Sequence, residues 1–306
     1  MADRVPHPEP AGCLLMARLV STAEGIGRLV DSEVELLDIG FGDLGAALAA
    51  GVTVAELGTA SVRGRRDVSE VTLLAPVRRP PKIWAVGWAY RAHREESNAA
   101  DDYDEPFFFL KAPSSVVGSG AQIVLPAVAP DRVDFEGELA VVIGKGGSHI
   151  DERDAFDHVA GFTAANDVSA RDVQKGEREG RLANINLGKS FDTFTPLGPC
   201  LSTLDEFRDP DDILLETFVD GELRQSARTS DLIYSVRAQV AYISSYTSLE
   251  AGDVILTGTP AGVGFPEGRF LHPGSTVRVE LEGVGTLQNQ VVADPQHREP
   301  QEKGKA

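Results

Sequence analysis

Short apolar runs alternate with glycine and proline along most of the chain. Residues 82–87 (KIWAVG), 107–111 (FFFLK), 122–126 (QIVLP), 138–144 (ELAVVIG) and 161–167 (GFTAAND) are rich in β-branched and aromatic residues. Each ends at a turn residue, which predicts strands. The runs VILTG (254–258), TVRVEL (276–281) and TLQNQVV (286–292) repeat the pattern. ILLETFVDGELRQSAR predicts a hairpin turning at Asp220-Gly221. Helical periodicity is rarer. Leu232, Val236, Val240 and Ile243 share one helical face, which predicts a helix with Ser230 as its N-cap. Nearer the start, LLMARLV (14–20) and EVELLDI (33–39) predict strands, and GDLGAALAAG (42–51) a helix beginning near Asp43.

This pattern describes a strand-rich α+β protein. Pro80 and Pro81 favour extended backbone and mark 77–82 as a linker. The expected layout is a disordered stretch over 1–12, a small N-terminal α+β domain over 13–76 with one helix, a strand-rich catalytic domain over 77–293, and a disordered tail over 294–306.

Composition narrows the function. The hydrophobic fraction of 42% and charged fraction of 25% are those of a soluble globular chain. No run is apolar enough to span a bilayer and the N-terminus lacks a signal-peptide core, so a cytoplasmic protein is expected. A net charge of -18 argues against nucleic-acid and anionic-membrane partners, which call for positive surface. A small anionic substrate is compatible with it if the pocket gathers positive charge or a metal. Cys13 and Cys200 are too few for a disulfide framework or a zinc site.

Several familiar motifs fail. Gly188-Lys189-Ser190 resembles the end of a P-loop, but Ala183 stands where its first glycine belongs. The GVG at 262–264 is not completed, because Glu267 occupies the last position of G-x-G-x-x-G. Neither G-x-S-x-G nor H-E-x-x-H occurs.

Three stretches remain. In DFEGEL (134–139), strand alternation puts Asp134, Glu136 and Glu138 on one face, where three like charges need a counter-charge. Gly137 between the glutamates fits a close approach to the backbone. An isolated E-x-E is most simply a solvated face, but with a third acid it suits a hard divalent cation. In AANDVSARDVQ (164–174), Asp167 ends a strand and Gln174 follows. In WAYRAHREES (88–97), His93 and Glu96 are three apart and share a face of a short helix, the spacing of a general base steadied by a carboxylate. Lys189 is an ordinary surface lysine by default and an anion receptor if it lies in a pocket.

In combination and order, KIWAVGWAYRAH, PFFFLKAPSSVVGSG, VDFEGELAVVIGKG, AANDVSARDVQ, GKSFDTFTPLGP, VDGELRQSARTSDLIYSV and GDVILTGTPAGVG resemble the fumarylacetoacetate hydrolase family over roughly residues 80–292. The resemblance implies a mixed β-sandwich roll with short helices, a homodimer or larger homo-oligomer, and a divalent cation held by Glu136, Glu138 and Asp167. It implies Mg²⁺ or Mn²⁺, for which Ca²⁺ can stand in within a crystal. It makes Asp134 a neighbour of the ligands, and His93, Glu96 and Lys189 the catalytic groups. Gln174, Arg171, Thr259 and Tyr90 become substrate contacts, with Arg171 equally suited to pairing a nearby acid. The resemblance implies that the segment carrying His93 and Glu96 orders when substrate binds; the chain departs from the family's V-G-x-N-Y-x-x-H run at Ala89, and Trp88 places a large ring beside that segment.

The implied activity is metal-assisted hydrolysis of a carbon–carbon bond in an anionic 1,3-diketo acid of the acylpyruvate kind. There His93 and Glu96 would activate water, and Lys189 would stabilise the departing enolate. Decarboxylation, isomerisation or dehydration of a related 2-keto acid, oxaloacetate among them, uses the same groups. A non-catalytic binding protein would have no need of the dyad.

Overall fold

The computed structural model describes residues 17–97 and 104–295. In chain order the strands are β1 (Arg18–Thr22), β2 (Gly25–Val30), β3 (Glu33–Leu37), β4 (Val62–Asp67), β5 (Leu73–Leu74), β6 (Ile83–Gly87), β7 (Phe107–Lys111), β8 (Val116–Val117), β9 (Gln122–Leu125) and β10 (Val133–Asp134). There follow β11 (Gly137–Ile143), β12 (Val159–Asn166), β13 (Ser169–Ala170), β14 (Thr195–Ser202), β15 (Leu214–Val219), β16 (Glu222–Arg228), β17 (Val254–Leu256), β18 (Thr276–Leu281) and β19 (Gly285–Ala293). The helices are α1 (Leu44–Ala49), α2 (Val54–Thr59), α3 (Arg91–Glu96), α4 (Arg171–Lys175), α5 (Ile185–Gly188) and α6 (Val236–Tyr246).

Among the described residues these strands build a 12-stranded mixed sheet in the order β4-β3-β2-β1-β14-β12-β11-β17-β6-β7, with β5 on β1 and β8 on β14. A five-stranded sheet, β16-β15-β18-β19-β9, covers one of its faces, and β10 pairs β13 separately. The strand-rich α+β reading therefore holds. The expected hairpin forms as β15 and β16, with Asp220 at φ 53 and Gly221 at φ 84 in the turn.

The centre of the large sheet is buried on both faces, and period-two alternation sorts its side chains. Leu139, Val141 and Ile143 of β11 join Leu215, Val279 and Leu287 of the second sheet and Val240 and Ile243 of α6. Ala140 and Val142 turn the other way, to Leu44 and Leu48 of α1 and Leu57 of α2.

The N-terminal strands continue this sheet, since Arg18 and Leu19 of β1 pair with Ser202 and Leu201 of β14. That region holds two helices where one was expected. Asp43 caps α1 as expected, and Thr53 caps α2 through a capping box with Glu56.

The α6 helix starts five residues later than its apolar spacing suggested. Its N-cap is Ser235, whose Oγ accepts from the Ala238 N–H at 3.1 Å, whereas Ser230 bonds Asp212. Between the two serines, Thr229–Asp231 form a 3₁₀ turn, then Leu232 bridges to Tyr90 and the Ile233 N–H donates to the Ala89 carbonyl, which keeps α6 from starting earlier. Residues 1–12, Cys13, nearly all of the 294–306 tail and residues 98–103 lie outside the described residues.

Candidate active site

Register brings the acids together. Gly137 of β11 pairs with Asn166 of β12, so the residues just beyond the ladder, Glu136 and Asp167, are neighbours. The Asp167 N–H donates to the Glu136 carbonyl at 2.8 Å, and the Glu136 N–H donates to Asn166 Oδ1 at 3.0 Å. Glu136, Glu138 and Asp167 are all buried, with one oxygen of each within 4.8 Å of the others.

Asp134 is not the third member of this group. The chain leaves β10 before β11 begins, which breaks the alternation expected from DFEGEL. Asp134 instead accepts from the Gly264 and Phe265 N–H groups, at 2.8 and 3.0 Å, and from Arg171 Nε at 2.8 Å.

The expected close approach at Gly137 is real. A Cβ there would lie 1.9 Å from Thr217 Oγ1. The Gly137 N–H donates to Gln225 Oε1, while its carbonyl accepts from Thr259 Oγ1 at 2.9 Å. Gln225 Nε2 donates to Thr259 Oγ1 at 2.7 Å, closing a clamp on the peptide between the two glutamates.

Buried acids at this density need compensation, and side chains supply most of it. Lys189 Nζ lies 2.6 Å from both Glu136 Oε2 and Asp167 Oδ2. Arg171 joins Asp134 to Glu136, each at 2.7 Å. Lys111 donates to Asp167 and to the Phe194 carbonyl.

Glu138 has no such partner. It accepts from the Gly258 N–H at 2.7 Å and forms no ion pair among the described residues. Burial above all, then Asp167 and Glu136, pushes its carboxyl well above the usual carboxylate range. Burial opposes ionisation of Glu136 too, but Lys189 and Arg171 hold that carboxyl down at about 2. Burial likewise disfavours the Lys189 ammonium, yet Asp167 and Glu136 raise it above the usual lysine range. An all-oxygen set of three converging carboxylates, one lacking any cation, fits a hard divalent ion such as Mg²⁺ or Mn²⁺ and not a soft one.

A cavity of about 250 Å³ opens beside this cluster. His93, Glu136, Arg171, Gln174, Lys175, Lys189 and Thr259 supply its polar wall, and Trp88, Phe107, Phe109, Val263 and Phe265 the apolar one. On α3, His93 Nδ1 lies 3.2 Å from Glu96 Oε2, and Glu96 Oε1 accepts from the Gly262 N–H at 2.9 Å. With Nδ1 engaged, Nε2 is the nitrogen available for proton exchange. Gln174 Oε1 accepts from Arg171 at 3.0 Å. A larger hollow of about 430 Å³ near His272 and Asp294 borders none of these groups.

The structure thus gathers His93, Glu96, Glu136, Glu138, Asp167, Arg171, Gln174, Lys189 and Thr259 in one place. Tyr90 does not line the cavity: it is buried against Val86 and Ala89, where burial and then the charge of Glu138 push its phenol above the usual tyrosine range. Lys111, Gln225 and Gly258 were missed in the sequence. Lys111 had a signal, since strand alternation in FFFLK puts it on the face of Phe107 and Phe109. Gly258, at φ +99, is required by packing as well, because a Cβ there would lie 2.3 Å from that of Ala89.

Comparison with known proteins agrees with this geometry. The "Fumarylacetoacetate (FAA) hydrolase C-terminal" family matches residues 82–292. The oxaloacetate tautomerase YisK of Bacillus subtilis is 42% identical over 229 residues, covering 74% of each chain. The fumarylacetoacetate hydrolase of Exiguobacterium antarcticum superposes with a TM-score of 0.77 at 36% identity, over 91% of this chain and 100% of that one. Maleylpyruvate hydrolase from Sphingobium sp. SYK-6, solved with manganese(II) and pyruvate, gives a TM-score of 0.71 at 29% identity, over 90% and 99%. Acids, cavity, fold and relatives converge: this chain belongs to the fumarylacetoacetate hydrolase family.

Proposed function

We propose that the protein catalyses enol–keto tautomerisation of a 2-keto dicarboxylate of the oxaloacetate kind, with a divalent cation at Glu136, Glu138 and Asp167. The carrying observation is the His93–Glu96 pair at a cavity that Arg171, Lys175 and Lys189 also line. The similarity to an oxaloacetate tautomerase supports this reaction above the acylpyruvate hydrolysis expected from the motifs. The cation would polarise the 2-keto oxygen and so favour loss of a proton at the adjacent carbon.

The chain's own residues do the rest. His93 Nε2 takes the proton from C3, and the C–H electron pair becomes the C2–C3 double bond. Charge moves onto the C2 oxygen, which takes the proton back from the His93 imidazolium to give the enol and regenerate the base. The reverse sequence returns the ketone. Glu96 holds the imidazole in orientation through Nδ1. Lys189 and Arg171 fix the acids and contribute positive potential where oxygen charge develops. Gln174 offers an amide to the carboxylate end. Trp88, Phe107 and Phe109 give the cavity an apolar side.

The test follows the decay of freshly dissolved enol oxaloacetate by absorbance, with Mg²⁺, with Mn²⁺ and with excess chelator. Acceleration by the protein that chelator removes is expected. His93→Ala should lower kcat/KM by about 100-fold or more with Mg²⁺ affinity unchanged. Faster cleavage of acylpyruvates to pyruvate and a free acid would restore the hydrolase reading, and release of carbon dioxide would make the enzyme a decarboxylase.

A further inference from the structure

We propose that Lys175 receives the second carboxylate of the substrate, so that the site selects 2-keto dicarboxylates over 2-keto monocarboxylates. This rests on the function proposed above and names the residue that would set its specificity.

Among the described residues, three lysine and arginine side chains line the cavity, and two are committed. Arg171 is held by Asp134 and Glu136, and Lys189 by Glu136 and Asp167. Lys175 forms no ion pair among the described residues. Its ammonium instead lies 3.9 Å from the centroid of the Phe265 ring, which lines the same cavity. A surface lysine ordinarily extends into water, so the ring contact draws this one towards the cavity mouth. Phe265 is itself anchored, its N–H donating to Asp134 at 3.0 Å.

The backbone fixes the position further. Helix α4 ends directly after Lys175 at Gly176, with φ 68. A Cβ there would lie 2.4 Å from the Ala183 nitrogen, so glycine is required at that turn. Arg171, Gln174 and Lys175 sit at i, i+3 and i+4, on one face of α4. Four residues of helical rise separate Arg171 from Lys175 by about 6 Å along the axis. That is about the reach of a four-carbon diacid whose keto-acid end lies by Glu136 and Arg171.

The ammonium also has reason to take an anion. Burial, and then the charge of Arg171, hold it below the usual lysine range, and a carboxylate beside it would offset both.

Two 2-keto acids that cannot enolise separate binding from turnover: 3,3-dimethyloxaloacetate, and trimethylpyruvate, in which a methyl replaces the second carboxylate. Each is titrated calorimetrically into the full-length protein with Mg²⁺, and into Lys175→Met and Lys175→Arg. The unmodified protein should favour the diacid by about tenfold. Lys175→Met should reduce that preference to about twofold or less with trimethylpyruvate affinity unchanged, and Lys175→Arg should keep most of it. A preference that survives Lys175→Met, or equal loss of both ligands, overturns the assignment. Equal binding of the two acids by the unmodified protein also overturns it, while leaving the tautomerase reading in place. Binding of neither acid brings down both.

Discussion

Gly258→Ala isolates what the glycine beside Glu138 contributes. Two costs add. At φ +99 an L-residue is strained by about 1–3 kcal/mol. The new methyl also meets Ala89 Cβ at 2.3 Å, and an overlap of that size in a packed interior costs about 1–3 kcal/mol more. A loss of about 4 kcal/mol is expected. Ala89→Gly divides the two costs, because it removes the overlapping atom and leaves φ unchanged. Alone it should cost about 1 kcal/mol in backbone freedom. In its presence Gly258→Ala should cost only about 2 kcal/mol, the remainder appearing as coupling. Urea unfolding with chelator present reads all four corners of the cycle free of metal linkage, the midpoint moving at constant slope. Coupling below about 0.5 kcal/mol would refute the steric argument, and a near-neutral Gly258→Ala would refute both parts.

Glu138→Gln removes the one ligand acid without a side-chain cation. It should stabilise the chelated protein by about 1 kcal/mol or more and abolish the rise in Tm on adding Mg²⁺; lower stability in chelator would contradict this. Burial raises the Cys200 thiol from its ordinary 9.0 to about 11. The unfolded thiol therefore ionises before the folded one, and its contribution to stability is present below pH 9 and lost as pH rises towards 11. Measured as the difference between the unmodified protein and Cys200→Ala, that loss should reach about 2 kcal/mol by pH 10.5, and a difference that does not change with pH would exclude it.

The sequence made the strands legible because each combines β-branched or aromatic residues with a turn residue at its end. Local signals failed where a non-local contact decides. Ser230 and Ser235 are both credible caps, and pairing of the Leu232 segment with Tyr90 selects the second. The α2 helix, VAELGT, lacks the run of alanine and leucine that marked the equally short α1. Asp134 looked like a strand-mate of Glu136 because alternation assumes an unbroken strand, and the break depends on pairing with Ser169. The acids, the dyad and Lys189 came from motif order. The clamp from Gln225 through Thr259 to Gly137 joins positions 88 and 122 residues apart, which no local pattern contains. Lys111 sat on a readable face, but the strong tendency of lysine to be exposed hid a fully buried one.

The pairing of β1 with β14 reaches beyond architecture. Strand β14 stands one strand away from β12, which leads into Asp167. With β1 in place, the backbone groups at the Leu201–Ser202 end of β14 are paired to Leu19 and Arg18. If β1 detaches, those groups become a raw edge able to recruit a strand from another molecule. The N-terminal strands are therefore an edge guard for the half of the sheet that holds the acids. Their detachment would surface first as faster hydrogen exchange at Leu201 and Ser202 and a tendency to self-associate, before any change in the acids themselves.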